Sequence, residues 1–121
     1  MPDTSEQPKT LIQCQAIYQR LASTLAAIGF IWPGTLQQLM LTCGKPRCAC
    51  HRDPGARHGP YWYWTSKKAG KTISKKLTPK EAAIIGEWIE NRRRLDRVVT
   101  EMMQESGRAF SLLLREPDPP A

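Results

Sequence analysis

Three cysteines within eight residues, Cys43, Cys48 and Cys50, followed by His58, stand in the stretch CGKPRCACHRDPGARHGPYWYW. Such a segment cannot order itself by burying a core. Gly44, Pro46, Pro54, Gly55, Gly59 and Pro60 interrupt any periodic element, and Lys45, Arg47, Arg52 and Arg57 leave the thiols no apolar interior to hide in, although free cysteines usually behave as small buried hydrophobes. Three thiolates and an imidazole are the inventory of a closed tetrahedral zinc site, which fixes a loop in place of a core and leaves no open position for chemistry. The C-x4-C-x-C-x7-H spacing departs from the common fingers, so this expectation rests on ligand type. His51 directly follows Cys50 and would strain to share its ion; His58 is therefore preferred as fourth ligand, with His51 as the alternative. Disulfides are not expected. The opening residues MPDTSEQPK lack the apolar core of a secretory signal, which points to the cytoplasm, where disulfides are rare. Cys14 stands apart on an apolar helical stripe and reads as a core residue.

Charge divides the chain into three. Residues 1–40 hold two bases and two acids, and residues 81–121 hold six bases against eight acids. Residues 41–80 hold ten bases against Asp53 alone, a balance of +9 within a chain of net charge +7. A solvated surface without a partner intersperses both signs, whereas a block of one sign in a folded module is the footprint of a face that binds a polyanion. Duplex DNA is the expected partner, held by Lys45, Arg47, Arg52, Arg57, Lys67, Lys68, Lys71, Lys75 and Lys76. Lys71 and Lys75, four apart on a pleated strand, project from one side of it. No run approaches the roughly 20 apolar residues of a membrane span, and the block is not an amphipathic helix, so no membrane partner is expected.

The pattern predicts an α+β fold of one domain over residues 10–115, with a flexible N-terminus over 1–9 and a disordered tail over 116–121. A helix over 10–28 carries Leu11, Cys14, Tyr18, Leu21, Leu25 and Ile28 on one stripe and opens on a Thr10/Gln13 capping box. A small three-stranded antiparallel sheet over 35–77 encloses the zinc-binding loop: Thr35 to Thr42, Tyr61 to Thr65, and Lys71 to Leu77 after a turn at Lys68, Ala69 and Gly70. A long C-terminal helix over 79–114 starts at Thr78-Pro79-Lys80-Glu81 and carries a stripe through Ile85, Trp88, Arg92, Leu95, Val99 and Met102. That stripe outruns what the first helix covers, which predicts a homodimer or a partner recombinase; a helix that breaks at Gly107 is the alternative. Strand alternation sends Tyr61 and Tyr63 to one face and Trp62 and Trp64 to the other. One pair is expected to pack on the helices and the other to lie beside Lys71, Lys75 and the loop arginines.

Catalysis lacks candidates: the motif region has no paired carboxylates, Ser-His-Asp set or phosphate-cradling glycine loop, and a deaminase would show H-x-E with P-C-x-x-C. A non-enzymatic, zinc-stabilised DNA-binding accessory protein without a small-molecule substrate is therefore the leading expectation. The alternatives are a thiol-dependent redox protein or enzyme and an adaptor that recruits a recombinase.

The run CGKPRCAC, followed by GARHGPYWYW and GKTISKKLT, resembles a family of small uncharacterised bacterial and archaeal proteins sharing C-G-K-x-x-C-x-C, then H-G-P-Y with aromatics, then a basic strand and a helix. The resemblance covers roughly residues 30–95, and Cys43, Cys48, Cys50, His58, Gly59, Pro60 and Tyr61 match it residue by residue. Members often stand beside transposases and phage integrases, which implies a role in a transposon, phage or other mobile element. The layout of sheet, basic hairpin and helix is also similar to the arm-binding domains of some integrases, which lay a sheet in the major groove.

Overall fold

A computed structural model describes residues 10–115; the expectations for 1–9 and 116–121 lie outside these residues. The elements run α1 (Leu11–Thr24), β1 (Thr35–Leu41), β2 (His58–Lys68), β3 (Lys71–Leu77) and α2 (Pro79–Arg115), with a 3-10 turn at Leu25–Ala27 and two more between β1 and β2. The α+β architecture read from the sequence is thus the one observed.

Local chemistry fixes the helix starts. Thr10 Oγ1 accepts from the Gln13 N–H at 3.1 Å, and Gln13 Oε1 accepts from the Thr10 N–H at 3.2 Å. The same reciprocal box opens α2, where Thr78 and Glu81 exchange bonds of 3.1 and 2.9 Å around Pro79. Those bonds hold the Glu81 carboxyl below its usual range, chiefly through the Thr78 N–H. At 37 residues α2 is about 55 Å long, and it continues through Gly107 without a break.

The sheet is antiparallel in the order β1-β2-β3. Ala69 and Gly70, at φ 53° and 78°, close the β2–β3 hairpin between Lys68 and Lys71. Two central residues with positive φ match the right-handed twist of the strands they join. β2 is longer than the aromatic run alone suggested, starting at His58 and ending at Lys68.

The chain divides into two compact units. Phe30–Arg92 forms the first, holding the sheet, the cysteine loop and the start of α2. Its core is built on Trp64, Ala82 and Ile89. Trp64 Nε1 donates to the Pro33 carbonyl at 2.8 Å, and the Trp32 ring lies 5.7 Å from that of Trp64. Gly34 permits this approach: a Cβ there would stand 2.4 Å from Trp64 Nε1. The second unit comprises the segments before Phe30 and after Arg92, hence α1 and the remainder of α2. Cys14 and Glu105, each 2% exposed, are the buried residues among those described in it. Cys14 is the core residue expected. Of the stripe read in the sequence, Ile85, Trp88, Leu95 and Met102 are half-buried on α2, whereas Arg92 is exposed and Val99 is 40% exposed, with Val98, Glu105, Ala109 and Leu112 buried or half-buried.

Candidate metal centre

Between β1 and β2 the chain makes a series of short turns, each closed by a named bond. The Lys45 carbonyl accepts from the Cys48 N–H at 3.1 Å, the Cys48 carbonyl from the His51 N–H at 3.2 Å, and the Ala49 carbonyl from Arg52 and Asp53 at 3.0 and 2.9 Å. These bonds build the 3-10 turn Ala49–His51, which carries Cys50 into the interior at 2% exposure. Asp53 then accepts from the Gly55 N–H at 3.0 Å and starts the turn Pro54–Ala56. The chain re-enters the sheet at His58, opposite Leu41. Gly59 makes that entry possible. Its φ is 128°, and a Cβ on it would meet the Leu39 carbonyl oxygen at 2.7 Å, where the β1–β2 register shifts.

The outcome is a cluster of four donors. Cys43 Sγ and Cys50 Sγ stand 3.7 Å apart, Cys48 Sγ stands 3.4 Å from His58 Nε2, and all four donor atoms lie within 4.8 Å of one another. Tetrahedral bonds of about 2.3 Å to sulfur and about 2.05 Å to nitrogen would separate two sulfurs by about 3.75 Å and a sulfur from a nitrogen by about 3.55 Å. The residues therefore fit a metal ion, and the spacing is consistent with zinc. The Cys43 N–H donates to Cys50 Sγ at 3.3 Å, an outer contact of the kind that steadies a ligating sulfur. His51 is exposed and stands outside the cluster, so it is His58 that the fold brings to the cysteines.

The thiols are not equivalent. Cys48 is pulled down to about 6, first by the Cys50 backbone N–H and then by His58, whereas burial pushes Cys50 up. Three thiolates against a divalent ion would leave one negative charge, and the exposed cations Lys45, Arg47, Arg52 and Arg57 of the same loop offset it.

The remaining basic residues divide between the two faces of the sheet. Lys75 pairs with Trp64 and Lys71 with Lys68, which places all three lysines on the tryptophan side. Lys75 lines a cavity of about 210 Å³ with Trp32, Trp64, Leu77, Ile85 and Trp88. Lys76 pairs with Tyr63 and Lys67 with Thr72, on the tyrosine side. The tryptophans are thus the pair that packs. The tyrosines lie beside Lys76, whose Nζ sits 3.9 Å above the Tyr61 ring, rather than beside Lys71 and Lys75. Gln37, Thr65 and Ser74 share the tyrosine face by register. They were not singled out from the sequence, where alternation shows two faces but not which strands meet.

A small α+β domain with a Cys3His cluster between its first two strands is the class defined by this fold and site. The chain belongs to the DUF6788 family, a domain of unknown function whose sequence profile matches residues 11–87. That span takes in α1, which the motif resemblance left outside, and ends within α2. No curated protein and no solved structure matches the chain. Among the described residues no helix is long and apolar enough to cross a membrane.

Proposed function

We propose that this is a non-enzymatic, cytoplasmic DNA-binding accessory protein, stabilised by one zinc ion on Cys43, Cys48, Cys50 and His58, that lays the tyrosine face of its sheet against duplex DNA. The observation that carries this reading is the make-up of that face. Trp64 and α2 occupy the other side, while Thr35, Gln37, Lys67, Thr72, Ser74 and Lys76 are exposed on this one. Short polar side chains with two lysines suit phosphate and base-edge contacts, and a sheet can enter the major groove as ribbons do. The excess of nine positive charges over residues 41–80 supplies the long-range attraction. Zinc has the structural task of ordering the loop that bears Lys45, Arg47, Arg52 and Arg57. A role in a mobile element follows from the motif resemblance.

A salt titration of duplex binding tests the face. Removing one lysine that touches a phosphate lowers the slope of log affinity against log salt by about 0.9. Lys67→Ala with Lys76→Ala should flatten it by about two units, and Lys71→Ala with Lys75→Ala should flatten it less. A larger effect from the second pair moves the DNA to the other face. Absence of duplex binding at low micromolar protein near physiological salt overturns the reading, and metal-free protein with a reactive thiol would favour redox chemistry instead.

A further inference from the structure

The second half of α2 carries an apolar strip that the described residues leave uncovered. Val99, Met103, Phe110, Leu113 and Leu114 are 40, 70, 62, 57 and 69% exposed, and they fall within an arc of about 100° on the helix. The side chains turned inward, Val98, Met102, Glu105, Ala109 and Leu112, are a different set. Residues 1–9 (MPDTSEQPK) and 116–121 (EPDPPA) lack the chemistry to cover the strip, because they bring no large apolar side chain beyond Met1.

The order of residues in the strip names its occupant. Val99, Met103, Phe110 and Leu114 are spaced symmetrically about the Ser106–Gly107 peptide, at intervals of four, seven and four residues, while Leu113 falls opposite Thr100. A strip with that symmetry is complementary to itself when a second copy lies antiparallel across it, so that each Met103 meets a Phe110 and each Val99 a Leu114, as a two-fold interface requires. Methionine against an aromatic ring is a favourable contact. The midpoint has the residues that a close crossing needs. The Ser106 hydroxyl is already satisfied by the Met102 carbonyl at 3.0 Å, so it enters an apolar contact without loss. A Cβ on Gly107 would meet nothing within 4 Å, so packing within the described chain does not call for glycine there. Glycine weakens a helix interior relative to alanine, and the close approach of another helix is a physical reason for it.

We propose that the protein is a two-fold homodimer in which two α2 helices cross antiparallel at Ser106 and Gly107. The strip lies beyond residues 11–87, the part matched by the family profile. The proposal is therefore independent of the family match and of the DNA-binding reading.

Light scattering on the 121-residue protein at tens of micromolar should give twice the 13.7 kDa chain mass; a monomeric mass overturns the proposal. Phe110→Glu should return the mass to that of one chain with its helical circular dichroism intact. Gly107→Leu is the sharper variant, because leucine is the better helix former and should raise helicity while separating the dimer. A Gly107→Leu protein that stays dimeric refutes the crossing. Orientation is read from oxidative cross-linking, with the linked peptide identified by mass spectrometry. Ser106→Cys, next to the two-fold axis, should link to itself and Met103→Cys should not. Self-linking at Met103→Cys would mean parallel helices and would overturn the register.

Discussion

Cys50 and Cys14 are equally buried, at 2% exposure each, yet they stand in regions ordered by different physics. Cys50 lies in a loop whose other side chains are mostly exposed and whose backbone bonds close only short turns. Cys14 lies in a capped helix beside the Glu105 carboxylate, in a unit held by helix propensity and side-chain packing. Burial alone therefore says little about what a thiol does. In the loop the interior is made of donor atoms, and its order depends on what they hold; in the helical unit the interior needs no ligand.

The largest effect should come from breaking the loop. A structural zinc site contributes folding free energy directly, so chelation or Cys50→Ser should lower stability by about 3 kcal/mol, which corresponds to a fall in Tm of roughly 10 °C or more for a domain of this size. Cys14→Ser should lose only about 1 kcal/mol, as one buried hydroxyl in place of a thiol, and should keep its full equivalent of metal. Equal losses from the two substitutions would erase the distinction. Alkylation after chelation sharpens it. At pH 7 the label should enter the three loop cysteines, which chelation frees, well before Cys14, whose thiol is pushed up by burial and then by Glu105.

Much of this contrast was legible in the sequence. Thr10 with Gln13 and Thr78-Pro79-Lys80-Glu81 mark helix starts because the capping bonds are local, and the four candidate ligands are recognisable because no apolar alternative exists for three thiols among Gly, Pro, Lys and Arg. What was not legible depends on which face meets which. The 100° step between helical residues lets several stripes be drawn on α2. Whether Val99 or Val98 turns inward is decided by packing, and the sequence-based choice of Val99 differed from the structure. Lys75 against Lys76 is the same problem in a strand. Alternation separates them, but only the packing of Trp64 against the helix tells which lysine has the open face.

The helical unit can be broken in its own way, with an intermediate effect. Glu105 Oε2 accepts from Arg108 Nη1 at 2.6 Å, while Oε1 is buried without a partner among the described residues. Arg108→Ala should remove that bond from the buried carboxylate and cost about 2 kcal/mol, a figure already reduced because the Arg108 side chain is 41% exposed. Glu105→Met, which removes the charge and keeps the volume, should cost under about 1 kcal/mol or stabilise. Both variants should retain metal. Urea titrations with metal analysis on the same samples check the pair, and loss of metal from either would show that the two regions are not independent.

The smallest effect lies at the hairpin tip, and it locates where dependence on the metal stops. Ala69 holds φ 53° beside Gly70 at 78°, a conformation in which a Cβ is strained and which asparagine tolerates better. Asn-Gly is the favoured pair for this two-residue turn, so Ala69→Asn should stabilise by about 0.5 kcal/mol. The β2–β3 ladder, from Trp62 opposite Leu77 to Lys68 opposite Lys71, uses no residue of the cysteine loop. The gain should therefore be the same in metal-loaded and chelated protein, measured as paired urea midpoints with unchanged slopes. A gain that disappears on chelation would mean that the hairpin itself relies on the ion, and the loop could no longer be treated as the one region whose order the metal supplies.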